Sequence, residues 1–374
     1  MSLTKIRSTN KQFFLLILLF VFMMLAACSE GGGSAGGQTT TETQGTEPPA
    51  GVTTETINFA TSPVGTSANA MGNGLASMIS NRSEVSVTIQ PYSGVNGWVP
   101  LLNTGEVALG ADSAIDLVWA FQGEETAGYE EAIQEMRLLV RGNFLSATGL
   151  VVREDSGIKS IADLKGKRVA AEFPGSAVGL AITEAALYAN GLTWDDVQPV
   201  PIPTIVAGIE ALQDNRLDAT FALVPTAPVM SEAHNATGLY ALDFIDGFEP
   251  GQLDDIPQEQ VDEILQRLPI AEMTTVQPEG YIQEETIGIR YPNYMVTSTH
   301  YSDETVYEMM EALWENYEEL HSVHPWLETW EPDLMFDPNP EVPYHSGAVQ
   351  FFQDIGLWND EVEQKQQELL NGIS

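Results

Sequence analysis

The chain has 374 residues but a single cysteine, which excludes an internal disulfide framework and any multi-thiolate metal site. Basic residues are nearly as scarce. Fifteen Lys and Arg stand against 53 Asp and Glu, a formal net charge of −38 at pH 7. That balance argues strongly against nucleic acid and anionic lipid headgroups as direct partners. Beyond residue 28 no apolar run reaches the roughly 20 residues that a membrane span needs. The sequence also lacks the Gly-Lys-Ser/Thr of a phosphate loop, a Gly-x-Gly-x-x-Gly and a Gly-x-Ser-x-Gly elbow. Gly175-Ser176-Ala177-Val178-Gly179 has the wrong order for that elbow. What is present is 43% hydrophobic and 9% aromatic residues, enough for a real core despite the charge. The length suits one large or two medium domains.

The front end has its own composition. Lys5, Arg7 and Lys11 precede an apolar run over 13–27 that ends in Leu25-Ala26-Ala27-Cys28. A basic start, a short apolar run and small residues before a break describe an export signal. The Leu-Ala-Ala-Cys ending resembles a bacterial lipobox, in which Cys28 is acylated and becomes the mature N-terminus. Residues 29–54, rich in Gly, Ser and Thr, then read as a flexible tether. The expected location is extracytoplasmic, in a periplasm or on the outer face of the cytoplasmic membrane, held by lipid. The acidity suits a saline or alkaline medium, where surface carboxylates keep a protein dispersed.

Within the body one unit occurs twice. Thr56-Ile57-Asn58-Phe59-Ala60 reads as a strand, followed by a Ser62-Pro63-Val64-Gly65-Thr66-Ser67 turn and a helix carrying Met71, Leu75, Met78 and Ile79. Lys167-Arg168-Val169-Ala170-Ala171 reads as a second strand, followed by Phe173-Pro174-Gly175-Ser176 and a helix over 177–190 closed by Gly191. Each turn sets small residues and a capping hydroxyl before a helix N-terminus, whose N–H groups and dipole suit carboxylate or phosphate. The sequels match too: helices over 96–103 and 205–214 lead to strands over 107–113 and 217–224. Alternating strands and helices predict an α/β fold with parallel-rich sheets. Two such lobes with paired anion-receptive turns predict a binding protein that closes on its ligand.

The residues that complete this picture resemble the TAXI family of TRAP transporter solute-binding receptors. The resemblance covers about 56–358. It rests on the Val151-Val152-Arg153-Glu154-Asp155-Ser156-Gly157 stretch, the turn and helix over 62–76, Pro174-Gly175-Ser176, His324-Pro325 and Pro343-Tyr344-His345-Ser346-Gly347-Ala348. It implies an α/β, two-lobed fold of the periplasmic-binding-protein type II kind, with a hinge and a central cleft. Lobe one then combines 55–146 with 292–374, and lobe two spans 147–291. It further implies a non-enzymatic receptor, free of cofactor and metal, that passes a small organic acid or amino acid to TRAP permease subunits. The usual solute of such receptors is glutamate or a related dicarboxylate. Two alternatives stay open: a lipoprotein serving an ATP-driven importer, and a sensory protein feeding a membrane kinase.

The expected ligand-binding set is Gly65, Thr66, Ser67, Asn69, Asp112, Ser113, Arg141, Pro174, Gly175, Ser176, Ala177 and Thr226. Asp112 and Ser113 end a strand, where contacts concentrate in open α/β sheets. Arg141 is the expected charged partner, since a guanidinium forks onto a carboxylate. Glu172, just before the second turn, disfavours a second acidic group on the solute, so a monocarboxylate or zwitterion is expected. His321 and His324 lack a third ligand for zinc, and His345 reads as structural.

Overall fold

The structure is a computed structural model that describes residues 56–173, 177–328 and 330–372. Cys28, the signal and the tether lie outside the described residues, as do Pro174, Gly175 and Ser176 of the second turn.

The first repeat begins with β1 (Thr56–Thr61), where Ile57 and Phe59 point into the core. It continues through α1 (Ser67–Arg82), β2 (Ser86–Pro91) and the short α2 (Val95–Trp98), then β3 (Leu109–Ser113) and α3 (Ala114–Gln122). β4 (Met136–Ala147) leads to β5 (Leu150–Arg153). The second repeat runs β6 (Arg168–Ala171), α4 (Ala177–Ala189), β7 (Gln198–Pro201), α5 (Ile205–Gln213), β8 (Ala219–Phe221), α6 (Pro228–Thr237) and β9 (Leu239–Ala241). After α7 (Gln258–Leu265) come β10 (Glu272–Val276) and β11 (Thr286–Ser298). The C-terminal part is helical: α8 (Asp303–Glu315), α9 (Tyr317–Leu320), α10 (Pro332–Met335), α11 (Ser346–Asp354) and α12 (Asp360–Asn371). Among the described residues no helix is long and apolar enough to cross a membrane.

The duplicated pattern in the sequence is a duplicated topology. In one sheet β1 lies between β2 and β3, parallel to both; in the other, β6 lies between β7 and β8, again parallel. Each third strand then meets an antiparallel neighbour, β11 for β3 and β5 for β8. The first sheet has six strands and the second five, in the order β7-β6-β8-β5-β9.

β11 organises the first sheet. One of its edges takes β10 along Thr286–Arg290 and β3 along Asn293–Thr297, while β4 runs along the other edge from Ala147 to Met136. Thus β10, which falls within the expected lobe two, hydrogen-bonds into the first sheet. The chain passes to the second sheet where β4 becomes β5, through Thr148 and Gly149. Gly149 has φ +93°, and a Cβ there would sit 3.0 Å from the Phe244 ring, so the turn requires glycine. Beside it the stretch after β9 meets β11: Phe244 N donates to Ile287 O (2.8 Å), and Ile287 N donates to the Asp243 carboxylate (2.8 Å). β11 thus touches the second repeat next to the passage from β4 to β5.

Candidate functional site

A cavity lies where the strands of the two repeats end, the position at which open α/β sheets bind ligands. Counting the part open to solvent, it holds about 730 Å³. The first repeat contributes Ser62 and Pro63 after β1, Thr66–Ala68 at the start of α1, and Asp112 and Ser113 at the end of β3. The second contributes Phe173, Val178, Thr204 and the 221–224 stretch after β8. Leu145–Ala147 of β4, Tyr291 of β11 and Trp326 close the remaining sides.

The α1 turn is fixed by local chemistry. Gly65 takes φ +95°, and Thr66 Oγ1 both donates to Pro63 O (2.7 Å) and accepts from Asn69 N (3.2 Å). The Asn69 amide donates to Thr61 Oγ1 (2.9 Å), tying the helix start to the strand end. Ser67 Oγ and Ser113 Oγ belong to side chains 1% and 2% exposed, line the cavity and have no hydrogen-bond partner in the structure. Asp112 accepts from Ser62 Oγ (2.5 Å) and from Ser113 N (2.9 Å). Burial pushes the Asp112 carboxyl above the usual carboxylate range, opposed by those two hydrogen bonds. Tyr291 is likewise pushed up, by burial first and then by the charges of Asp116 and Asp112.

A profile of the NMT1-like family matches residues 59–356. The chain belongs to the NMT1-like family. Its fold is shared with solved structures of low identity. MatC (Rpa3494) from Rhodopseudomonas palustris, with bound malate, is 12% identical with a TM-score of 0.50, over 86% of this chain and 99% of that one. A structure titled a periplasmic transporter is 10% identical with a TM-score of 0.51, over 86% and 97%. The periplasmic aliphatic sulphonate binding protein SsuA from Escherichia coli is 17% identical with a TM-score of 0.41, over 85% and 86%. The chain therefore has a mixed α/β, two-sheet fold that matches periplasmic-binding-protein-like structures.

In this NMT1-like protein, Thr66, Ser67, Asp112 and Ser113 of the expected set line the cavity together. Gly65 and Asn69 shape the α1 turn without lining it. Thr226 stands just past the 221–224 wall, its Oγ1 buried without a partner.

Arg141 is elsewhere. Its guanidinium donates to Leu334 O (3.0 Å) and approaches Asp337 (3.5 Å), a buried carboxylate that also accepts from Tyr294 OH (2.8 Å). It compensates Asp337 and does not line the cavity, so the expected role as the solute's charged partner is withdrawn. Arg290 is bound at the surface by Glu272 (2.6 Å). Glu172 also faces away. It is exposed, holds φ +55° and lines a separate outer groove with Glu124, Glu184 and Arg267.

The α4 terminus differs from expectation as well. Ala177 opens that helix toward the outer groove, while Val178 N donates to the Asp116 carboxylate (3.0 Å). Asp116, 0% exposed in the first turn of α3, thus places a carboxylate of the chain itself at a helix end expected to receive one from the solute. The only sequence signal for it was a second acid four residues after Asp112.

Proposed function

We propose that this NMT1-like protein is an extracytoplasmic solute receptor, lipid-anchored through Cys28, that delivers a small organic solute to a TRAP-type secondary transporter. The observation that carries the binding role is the cavity itself: it opens at the strand ends of two repeated α/β units, which the chain links directly where β4 passes into β5. Such a joint lets two lobes close on a solute, which buries it and strengthens each polar contact. Ser67 and Ser113, with buried hydroxyls facing the cavity unpartnered, are the proposed polar contacts beside the start of α1. The TRAP assignment rests on the sequence resemblance.

Native mass spectrometry of the full chain, purified in detergent from its own membranes, tests the binding role. A retained small solute is expected. Ser67→Ala should weaken that solute about fivefold, the equivalent of one neutral hydrogen bond of about 1 kcal/mol. A chain that retains nothing and shows no thermal shift with any solute would refute the receptor reading. Uptake into vesicles with the neighbouring permease separates the transporter classes: drive by an ion gradient supports TRAP, and strict need for ATP assigns the importer.

A further inference from the structure

The cavity is asymmetric in charge. Among the described residues Asp112 is the one carboxylate lining it, and no lysine, arginine or histidine lines it at all. Asp112 forms no ion pair with a described residue. Its two accepted hydrogen bonds leave about two of the four acceptor sites of a carboxylate unused. Arg141 does not make up the deficit. In the sheet register both Asp112 and Arg141 pair with Tyr294, from opposite sides, which puts the two backbones about 10 Å apart. Asp337 already holds that guanidinium.

Other groups in and beside the lining suit a cation. Asp116 adds a second buried carboxylate near enough to act, with Asp112, on both Tyr291 and Tyr129. Phe173, Phe221, Tyr291 and Trp326 all line the cavity, and the faces of such rings attract ammonium groups. Ser67 Oγ and Ser113 Oγ, buried and unpartnered, can accept from N–H donors there. At the α4 start Val178 N is already taken by Asp116, while the starts of α1, α3 and α5 reach the lining through Thr66–Ala68, Ser113 and Thr204 with Ile205.

We propose that the solute carries an organic ammonium group, that Asp112 is the residue that selects it, and that an apolar body packs on the aromatic wall. This rests on the receptor reading above. A plain amine and an apolar amino acid share the required chemistry; in the second case the carboxylate takes the start of α1. A dicarboxylate without an amine leaves Asp112 without a counter-charge and meets no side-chain cation among the described lining residues.

The test compares four phenyl-bearing probes on the unmodified full chain in detergent, by calorimetry: phenethylamine, phenylalanine, 2-phenylethanol and 3-phenylpropionate. Phenethylamine, phenylalanine or both should bind at least tenfold more tightly than the alcohol and the acid. The tighter of the two tells whether a carboxylate is also read. Asp112→Asn should erase the preference while its circular dichroism matches the parent; should that variant not fold, the ranking on the unmodified chain decides alone. Equal or tighter binding of the alcohol or the acid overturns the proposal. If none of the four binds, the solute retained in native mass spectrometry decides: an amine supports the proposal and an ammonium-free solute overturns it. A chain that holds no solute of any kind refutes the receptor reading instead.

Discussion

At the residue scale the unusual feature is a carboxylate kept in an apolar cavity without a cation. Water lost on burial disfavours the charged form, so Asp112 binds its proton more tightly in the folded chain than in the unfolded one. The sign follows from linkage. A carboxyl raised on folding leaves stability intact below the ordinary carboxylate range, and stability falls as pH rises through the raised value. The ligand-free chain at neutral pH therefore carries a penalty that Asp112→Asn removes. That variant should melt above the parent at pH 7, with the difference fading as pH falls below the ordinary carboxylate range. Melting curves across pH, without solute, check this. A variant less stable than the parent at pH 7 would contradict it. Such a penalty, retained in the resting protein, is what a specificity group for a cationic solute looks like.

At the element scale the start of α4 is the point of interest, because a side chain from α3 satisfies it across the cleft. Val178 N is an orphan donor of a first helical turn, and the Asp116 carboxylate meets it both as a hydrogen-bond acceptor and as a charge at the positive dipole end. Asp116→Ala strands that donor and should cost about 1–3 kcal/mol in urea unfolding. Asp116→Asn, which keeps an acceptor, should cost less. An equal loss for both would mean that packing, not the cap, sets the role of Asp116. This contact also shows where sequence reading reaches its limit. The two strand-and-helix units, their sequels and the Thr66 cap were legible, because each depends on neighbours a few residues apart. The Asp116–Val178 contact joins positions 62 apart and the Arg141–Asp337 pair positions 196 apart. No local pattern encodes either, so Arg141 passed for a free cation and α4 for a free terminus. Likewise the fold buries Trp98 against Gly110, 12 positions on, where a Cβ would lie 2.3 Å from the indole.

At the scale of the whole molecule, the net charge of −38 acts on the same joint that the cavity depends on. Like charges spread over both repeats repel, and the repulsion reaches farther as salt is removed: the screening length is about 10 Å at 0.1 M and about 30 Å at 0.01 M. The contacts that oppose separation across the cleft include the Asp116–Val178 bond and Val229 N donating to Gly65 O (3.2 Å), both backbone donors on the second repeat. Neither of them involves a side-chain cation, so neither gains much when screening weakens. Desalting should therefore act in one direction, toward open and less stable forms. We expect small-angle scattering of the ligand-free full chain in detergent to give a larger radius of gyration near 0.01 M salt than near 0.5 M. We expect the melting temperature to fall in the same direction, by several degrees. A bound ammonium solute should reverse both changes at low salt, because it adds contacts from each repeat and places a positive charge beside Asp112. A radius of gyration that ignores both salt and a tightly bound solute would mean that β4 and β11 hold the two repeats rigidly, and that the solute enters without a lobe movement.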